Sequence, residues 1–464
     1  MDERILIANG LVVTENGVFT HDVLVEGQRI AAVGYRLPRE GVSRVIDAEG
    51  CYVLPGVVDP HVHIQLDTGI YKTADDWEVG TRVAAFGGVT TVIDFATQFP
   101  GQNVREAVNN RHQEVGAKAY VDYALHVMLT DLPEDDGVLQ GWMNDLVVLG
   151  TPAAKVYTTY RPNYYQDDDA LLRVFRAAAQ SHVLVMVHAE NDAIVSASTQ
   201  RLVREGKTSL AYHATARPPF AEAEAVHRVL FLAREAQCPV YIVHCSTPEA
   251  VDLITRAKQE GQVAFAETCP QYLLLDDSAY TGPHPEWVIL QPPLRNRERV
   301  EKQWEHLAQG HIDALGTDHC EYTLDQKLET GNFTTTPGGI PGLETALPLM
   351  ATYGVLRGPL TWPELVRLMS ARPARLFGLY PRKGTLTPGS DADIVIYDPR
   401  GVSRVHSSNM HGISGYTPYQ GMEVQGRVRL TMVRGRVVVE EGELKGEPGW
   451  GIFVPGRGFV PPRG

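Results

Sequence analysis

The 464-residue chain carries 42 Lys and Arg against 56 Asp and Glu, a formal net charge of -14, and is 44% hydrophobic. That balance suits a globular protein with a large core and repels a phosphate backbone or an anionic lipid surface, so neither a nucleic-acid partner nor a membrane partner is expected. The five cysteines, Cys51, Cys238, Cys245, Cys269 and Cys320, are scattered and lack C-x-x-C spacing. With no apolar signal segment and no run near the ~18 residues a bilayer span needs, reduced thiols in a cytoplasmic protein are expected.

Taken in chain order, "ILIANGLVVT", "DVLVEGQRIAAVG" and "SRVIDAEGCYVLPG" alternate apolar and polar residues between Gly and Asn turns, which predicts short antiparallel strands. Eight apolar runs follow: "VVDPHVH", "TTVIDFA", "ALHVML", "AAKVYTT", "VLVMVHAE", "VYIVHCS", "VAFAETCP" and "DALGTDH". Amphipathic stretches such as "AEAEAVHRVLFLAREAQ", "TPEAVDLITRAKQEG" and "NRERVEKQWEHLAQG" lie between several of them, a pattern that predicts a (β/α)8 TIM barrel. An open doubly wound sheet is the competing fold, but the G-x-G-x-x-G and P-loop fingerprints that mark its cargo site are missing after the first run. "DADIVIYDP" and "GRVRLTMVRGRVVVEEGEL" then return to the short alternating pattern. The expected architecture is an α/β chain in which residues 55–380 form the barrel, while 1–54 and 381–464 join into a smaller β-sandwich.

In a parallel barrel, chemistry gathers at the C-terminal ends of the strands. His61 and His63 close the first run, Lys155 lies in the fourth, His188 closes the fifth, His244 the sixth and Asp318 the eighth. Alternation along a strand puts the two imidazoles of H-x-H on one face, near enough to grip one ion. Any one of these residues reads equally well as a packing group, but their concentration at strand ends points to a metal site. His and carboxylate donors suit Zn²⁺, with Mn²⁺, Fe²⁺ or Co²⁺ as replacements, and six ligands exceed what one catalytic zinc takes, which suggests two ions with a hydroxide between them. An ammonium beside two dications suffers like-charge repulsion and desolvation, so Lys155 has to be neutral or modified, for example by CO₂ as a carbamate.

These residues sit within "LPGVVDPHVHIQLDTG", "TADDWEVGTRVAAFGGVTTVIDFA", "AAKVYTTY", "VHAEN", "VHCSTPEA", "AETCPQYLLLD", "PPLRN", "GTDHCEYT", "KGTLTPGSDADIVIYDP" and "YTPYQGMEVQGRV". Together, and in this order, they resemble the hydantoinase and dihydropyrimidinase group of the cyclic amidohydrolases, over essentially the whole chain. The resemblance implies that Lys155 is N6-carboxylysine bridging two Zn²⁺, with His61, His63 and Asp318 on one ion and His188 and His244 on the other. It implies that Asp318 is the general base and that Tyr160 stabilises the oxyanion. The implied substrates are 5-substituted hydantoins or dihydropyrimidines, opened by the metal-bridging hydroxide to N-carbamoyl amino acids.

Two positions implied to contact substrate depart from the group's usual pattern: Gln291 stands where Ser is common, and Gly338 where Asn is frequent. Allantoinase and dihydroorotase activities are the alternatives, the latter disfavoured because Gln65 and Asp67 follow H-x-H where an Arg is usual. A non-catalytic assembly protein and a mononuclear deaminase are the other readings. The segment from about Tyr416 to Gly464 resembles an oligomerisation tail, which implies a homotetramer, with a dimer as the alternative.

Overall fold

The structure, a computed structural model, describes residues 3–461; the ends of the two expected terminal segments, 1–2 and 462–464, lie outside them. Strands Val57–Val62, Val89–Gln98, Asp122–Leu129, Ala153–Tyr157, Leu184–His188, Val240–Ile242, Ala264–Thr268 and Ala314–Leu315 pair in chain order, each parallel to the next. A parallel bridge between Val62 and His319 closes the ring. Across the same seam the Asp318 N–H donates to His61 O at 2.9 Å and the His63 N–H to His319 O at 2.7 Å. The expected barrel is therefore present, and it shuts where three of the expected ligands sit.

The barrel strands are nearly continuous in Val, Ile and Ala because both faces are covered, one by the barrel interior and the other by helices. Helices Pro219–Glu235, Pro248–Gln259 and Arg297–Ala308 occupy three of the predicted amphipathic stretches. Each starts on a local signal: Pro in its first turn, a Thr247 oxygen accepting from Ala250 N–H, or an Asn296 oxygen accepting from Arg299 N–H.

The two chain ends share one sandwich, as the repeated short-strand pattern predicts. Its smaller sheet is Arg29–Gly34, Asp22–Glu26, Arg4–Ala8 and Arg44–Asp47. In the larger sheet Ile394–Arg404 from the second half pairs antiparallel with Tyr52–Pro55 from the first. Ile5, Val23, Val25, Val53, Ile394 and Met432 close the core between them. The joint with the barrel is ionic: Lys383 Nζ lies 2.5 Å from Asp122 Oδ2 and 2.7 Å from Asp393 Oδ2, and Arg434 Nε donates to Asp122 at 2.9 Å. Beyond the sheet, the tail lies against its own barrel. Val454 N–H donates to Tyr123 O and Phe459 N–H to His182 O, and both side chains are buried.

Candidate metal centre

All six expected ligands converge at the C-terminal mouth of the barrel. His61 Nε2 is 2.7 Å from Lys155 Nζ and 3.2 Å from Asp318 Oδ1, and His63 Nε2 is 3.4 Å from the same oxygen. Across the lysine, His188 Nδ1 faces His244 Nε2 at 3.0 Å. His61, Lys155 and His188 lie within their strands; His63, His244 and Asp318 stand one to three residues beyond theirs. Leaving the sheet lets the backbone turn. His244 takes φ 39°, Asp318 φ 52° and Tyr160 φ 74°, a left-handed region that costs a non-glycine residue energy and collects at functional sites.

The proton arrangement follows from carboxylates behind the ring. Glu267 Oε1 lies 2.7 Å from His61 Nδ1, so that nitrogen donates and the Nε2 lone pair points into the site. Glu267 also accepts from the His244 N–H at 2.9 Å and the Tyr241 hydroxyl at 2.7 Å. Glu190 lies 2.7 Å from His188 Nε2 and pairs with Arg217, leaving the His188 Nδ1 lone pair inward. Burial holds His61 and His244 well below the ordinary imidazole value and His63 at about 4, so the rings are neutral at physiological pH.

This donor set fits a metal. The His188 proton lies toward Glu190, so the 3.0 Å contact needs either the His244 Nε2–H or a cation between the nitrogens. With the proton there, His244 Nδ1 is left a buried acceptor with no hydrogen-bond partner among the described residues, as is His63 Nδ1 unprotonated, whereas a cation removes the conflict. Lys155 fits the same picture. Burial pulls its amine down to about 8, and Nζ lies 4.4 Å from the Phe95 ring centroid. Among the described residues no carboxylate oxygen forms an ion pair with it.

A second group, Asp75, His319 and Glu321, also clusters within metal-binding range. Its hydrogen bonds argue otherwise: Gly342 N–H donates to His319 Nδ1 at 3.1 Å, so the other ring nitrogen carries the proton and donates to Asp75 at 3.0 Å. Both nitrogens are spoken for, and the trio braces the first loop against the last. Asp59 does similar work by accepting from the His61 N–H, the Thr317 N–H and the Thr317 hydroxyl.

The ligands open into a cavity of about 730 Å³ whose wall includes Tyr160, Gln291 and Gly338. Apolar and aromatic side chains, Leu66, Ile70, Tyr71, Tyr164 and Tyr322, line it as well, and Tyr157 packs beside Lys155 and His188. Sequence reasoning missed Glu190, Glu267, Arg217 and Asp59. Acids inside otherwise apolar strand ends were the available signal for the first two.

A barrel with buried His and Asp donors converging at its C-terminal mouth defines a metal-dependent hydrolase. The chain belongs to the amidohydrolase family, whose model matches residues 52–438. It is 38% identical over 454 residues to a D-hydantoinase of Geobacillus stearothermophilus, covering 97% of this chain and 96% of the relative. The solved dihydropyrimidinase of Brevibacillus agri superposes with a TM-score of 0.96 at 35% identity over 99% of this chain and all of the other. The L-hydantoinase (dihydropyrimidinase) of Arthrobacter aurescens gives a TM-score of 0.90 at 35% identity, covering 98% of this chain and 100% of that one. All five cysteines are free and buried, and no helix among the described residues is long and apolar enough to cross a membrane.

Proposed function

We propose that the protein hydrolyses the ring amide of 5-substituted hydantoins or dihydropyrimidines, giving N-carbamoyl amino acids. It is a cyclic amide hydrolase with a metal cofactor, which we read as two Zn²⁺. The observation that carries this reading is the convergence of neutral His lone pairs, Asp318 and a buried lysine on one cavity. His61, His63 and Asp318 would hold one ion, and His188 and His244 the other. The metals supply a water activated near neutral pH and a polarised carbonyl.

Lys155 would bridge them as a carbamate. The neutral Nζ would add to the carbon of CO₂ and release one proton to solvent, so that position 155 would offer the ions an anionic carbamate where an ammonium would repel them. A free-amine value of about 8 leaves a reactive neutral fraction that an ordinary lysine lacks. Asp318 is ionised: burial raises it, and interaction with His61 and His63 outweighs that and holds it at about 2. As general base it takes the proton of the attacking water and returns it to the leaving ring nitrogen. Tyr160, its ring centroid 4.9 Å from that of His188, would donate its hydroxyl to the developing oxyanion, and burial keeps that hydroxyl protonated by pushing its value up. The apolar mouth suits a bulky 5-substituent. A homotetramer, with the tail contributing to its interface, completes the proposal.

Hydrolysis rates on dihydrouracil, 5-substituted hydantoins, allantoin and dihydroorotate test this reading. Turnover confined to the first two supports it. Turnover of dihydroorotate or allantoin alone, or no turnover by fully metallated protein, refutes it.

A further inference from the structure

Tyr160 sits on a backbone held at φ 74°, and the residues on either side of it are fastened to one carboxylate. Asp192 accepts from the Thr159 hydroxyl at 3.2 Å and pairs with Arg161 Nε at 3.0 Å. Those bonds fix the main chain and leave the direction of the phenol ring to its packing. The ring centroid lies 4.9 Å from that of His188, and the Arg217 guanidinium stands over the ring with its carbon 5.2 Å from the centroid.

Arg217 comes from a separate part of the chain, between the short helix His213–Ala216 and helix Pro219–Glu235. Its side chain is 12% exposed and pairs with the fully buried Glu190, the carboxylate that lies 2.7 Å from His188 Nε2. The main chain at 217 is held as well. Arg217 O accepts from Arg295, whose Nε donates to Ser246 Oγ at 2.9 Å and whose Nη2 donates to Glu222 at 3.1 Å. Ser246 lies two residues beyond His244. One planar cation thus touches both the partner of His188 and the Tyr160 ring, from a main chain tied to the segment that carries His244. A guanidinium can grip a carboxylate and stack on an aromatic ring at once, whereas an ammonium keeps the charge without the flat stacking surface.

We propose that Arg217 is a positioning residue: its guanidinium, held by Glu190, backs the Tyr160 ring and so aims the phenol hydroxyl at the reacting carbonyl. The proposal rests on the cyclic amide reading of the site, in which Tyr160 donates to the developing oxyanion. That charge appears only in the transition state, so a misaimed hydroxyl lowers kcat and leaves KM nearly as it was. The ion pair with Glu190 has a separate consequence. It supports the carboxylate that orients His188, so losing the positive charge weakens the hold on metal.

The test compares Arg217→Lys, Arg217→Met, Tyr160→Phe and the Arg217→Lys, Tyr160→Phe double variant on dihydrouracil and hydantoin, with bound zinc counted for each. Arg217→Lys keeps a cation beside Glu190, so its zinc content should match the parent while kcat falls about tenfold and KM stays within about twofold. Tyr160→Phe should lower kcat at least as far, and adding Arg217→Lys to it should cost little more, because the ring no longer carries a hydroxyl to aim. Arg217→Met should lose zinc as well as turnover. An Arg217→Lys variant with the parent's kcat, one whose zinc falls along with its kcat, or two losses that multiply in the double variant overturns the proposal while leaving the hydrolase reading intact. A parent protein that hydrolyses neither ring overturns both.

Discussion

Lys155 is the residue whose chemistry is most constrained. In metal-free, CO₂-free protein its amine titrates at about 8 against 10.5 in the unfolded chain, because burial disfavours the ammonium. Between those values the unfolded chain binds the extra proton, so the penalty is fully present below pH 8 and vanishes as pH rises toward 10.5. It amounts to about 3 kcal/mol. Thermal unfolding of the apoprotein should therefore shift upward between pH 8 and 10.5, and Lys155→Met should raise stability at pH 7, reduce that rise to the part left by buried Lys327, whose amine is held at about 7, and abolish metal binding. A flat profile in the parent would contradict this. Glu267→Gln, which disturbs the partner that fixes the His61 proton, should weaken metal affinity about 10 to 100-fold in a chelator titration. The convergence of the six candidate ligands was legible because His, Asp and Lys are out of character at the ends of apolar strands. Glu267 and Glu190 were less so: Glu267 meets His61 across 206 positions of sequence, and no local pattern announces that contact.

Among the elements, the eight barrel strands could be read from the sequence, but their ends could not. The sixth keeps only Val240–Ile242 and the eighth Ala314–Leu315, because the following backbone leaves the ladder to aim His244 and Asp318. The His244 N–H goes to the Glu267 carboxylate, a substitution invisible to strand periodicity. The loop after the first strand is a small hairpin, with Thr68 N–H donating to Tyr71 O and the Tyr71 hydroxyl to Glu329 at 2.9 Å. At its tip Ile70 is 82% exposed and lines the cavity mouth, where only a ring substituent would reach it. Ile70→Ser should raise KM several-fold, roughly 1 kcal/mol of lost apolar contact, for a 5-aryl hydantoin and leave dihydrouracil unaffected. Equal effects on both substrates would remove the loop from substituent recognition.

For the whole molecule, the repeated short-strand pattern at the two ends announced a shared sandwich, whereas the ionic joint to the barrel could not be read from it. Lys383 is 261 residues from Asp122 and reads in sequence as a surface residue of "PRKGTL". Buried with three carboxylates around it, it leaves unpaired charge if removed. Lys383→Met should cost about 3 to 5 kcal/mol in denaturant unfolding while the metal ligands keep their positions. Loss of activity at unchanged stability would show a different role.

All these scales meet at the bridge proposed between His61 and His188. A crystal structure of protein grown with zinc and supplied with bicarbonate, with anomalous scattering collected at the zinc edge, looks at it directly. Two anomalous peaks are expected, one beside His61, His63 and Asp318 and the other beside His188 and His244, joined by carboxylate density continuous with Lys155 Nζ. A bare ammonium at Lys155 in fully metallated protein, or a single peak with Lys155 turned away, would contradict the binuclear centre proposed for this chain.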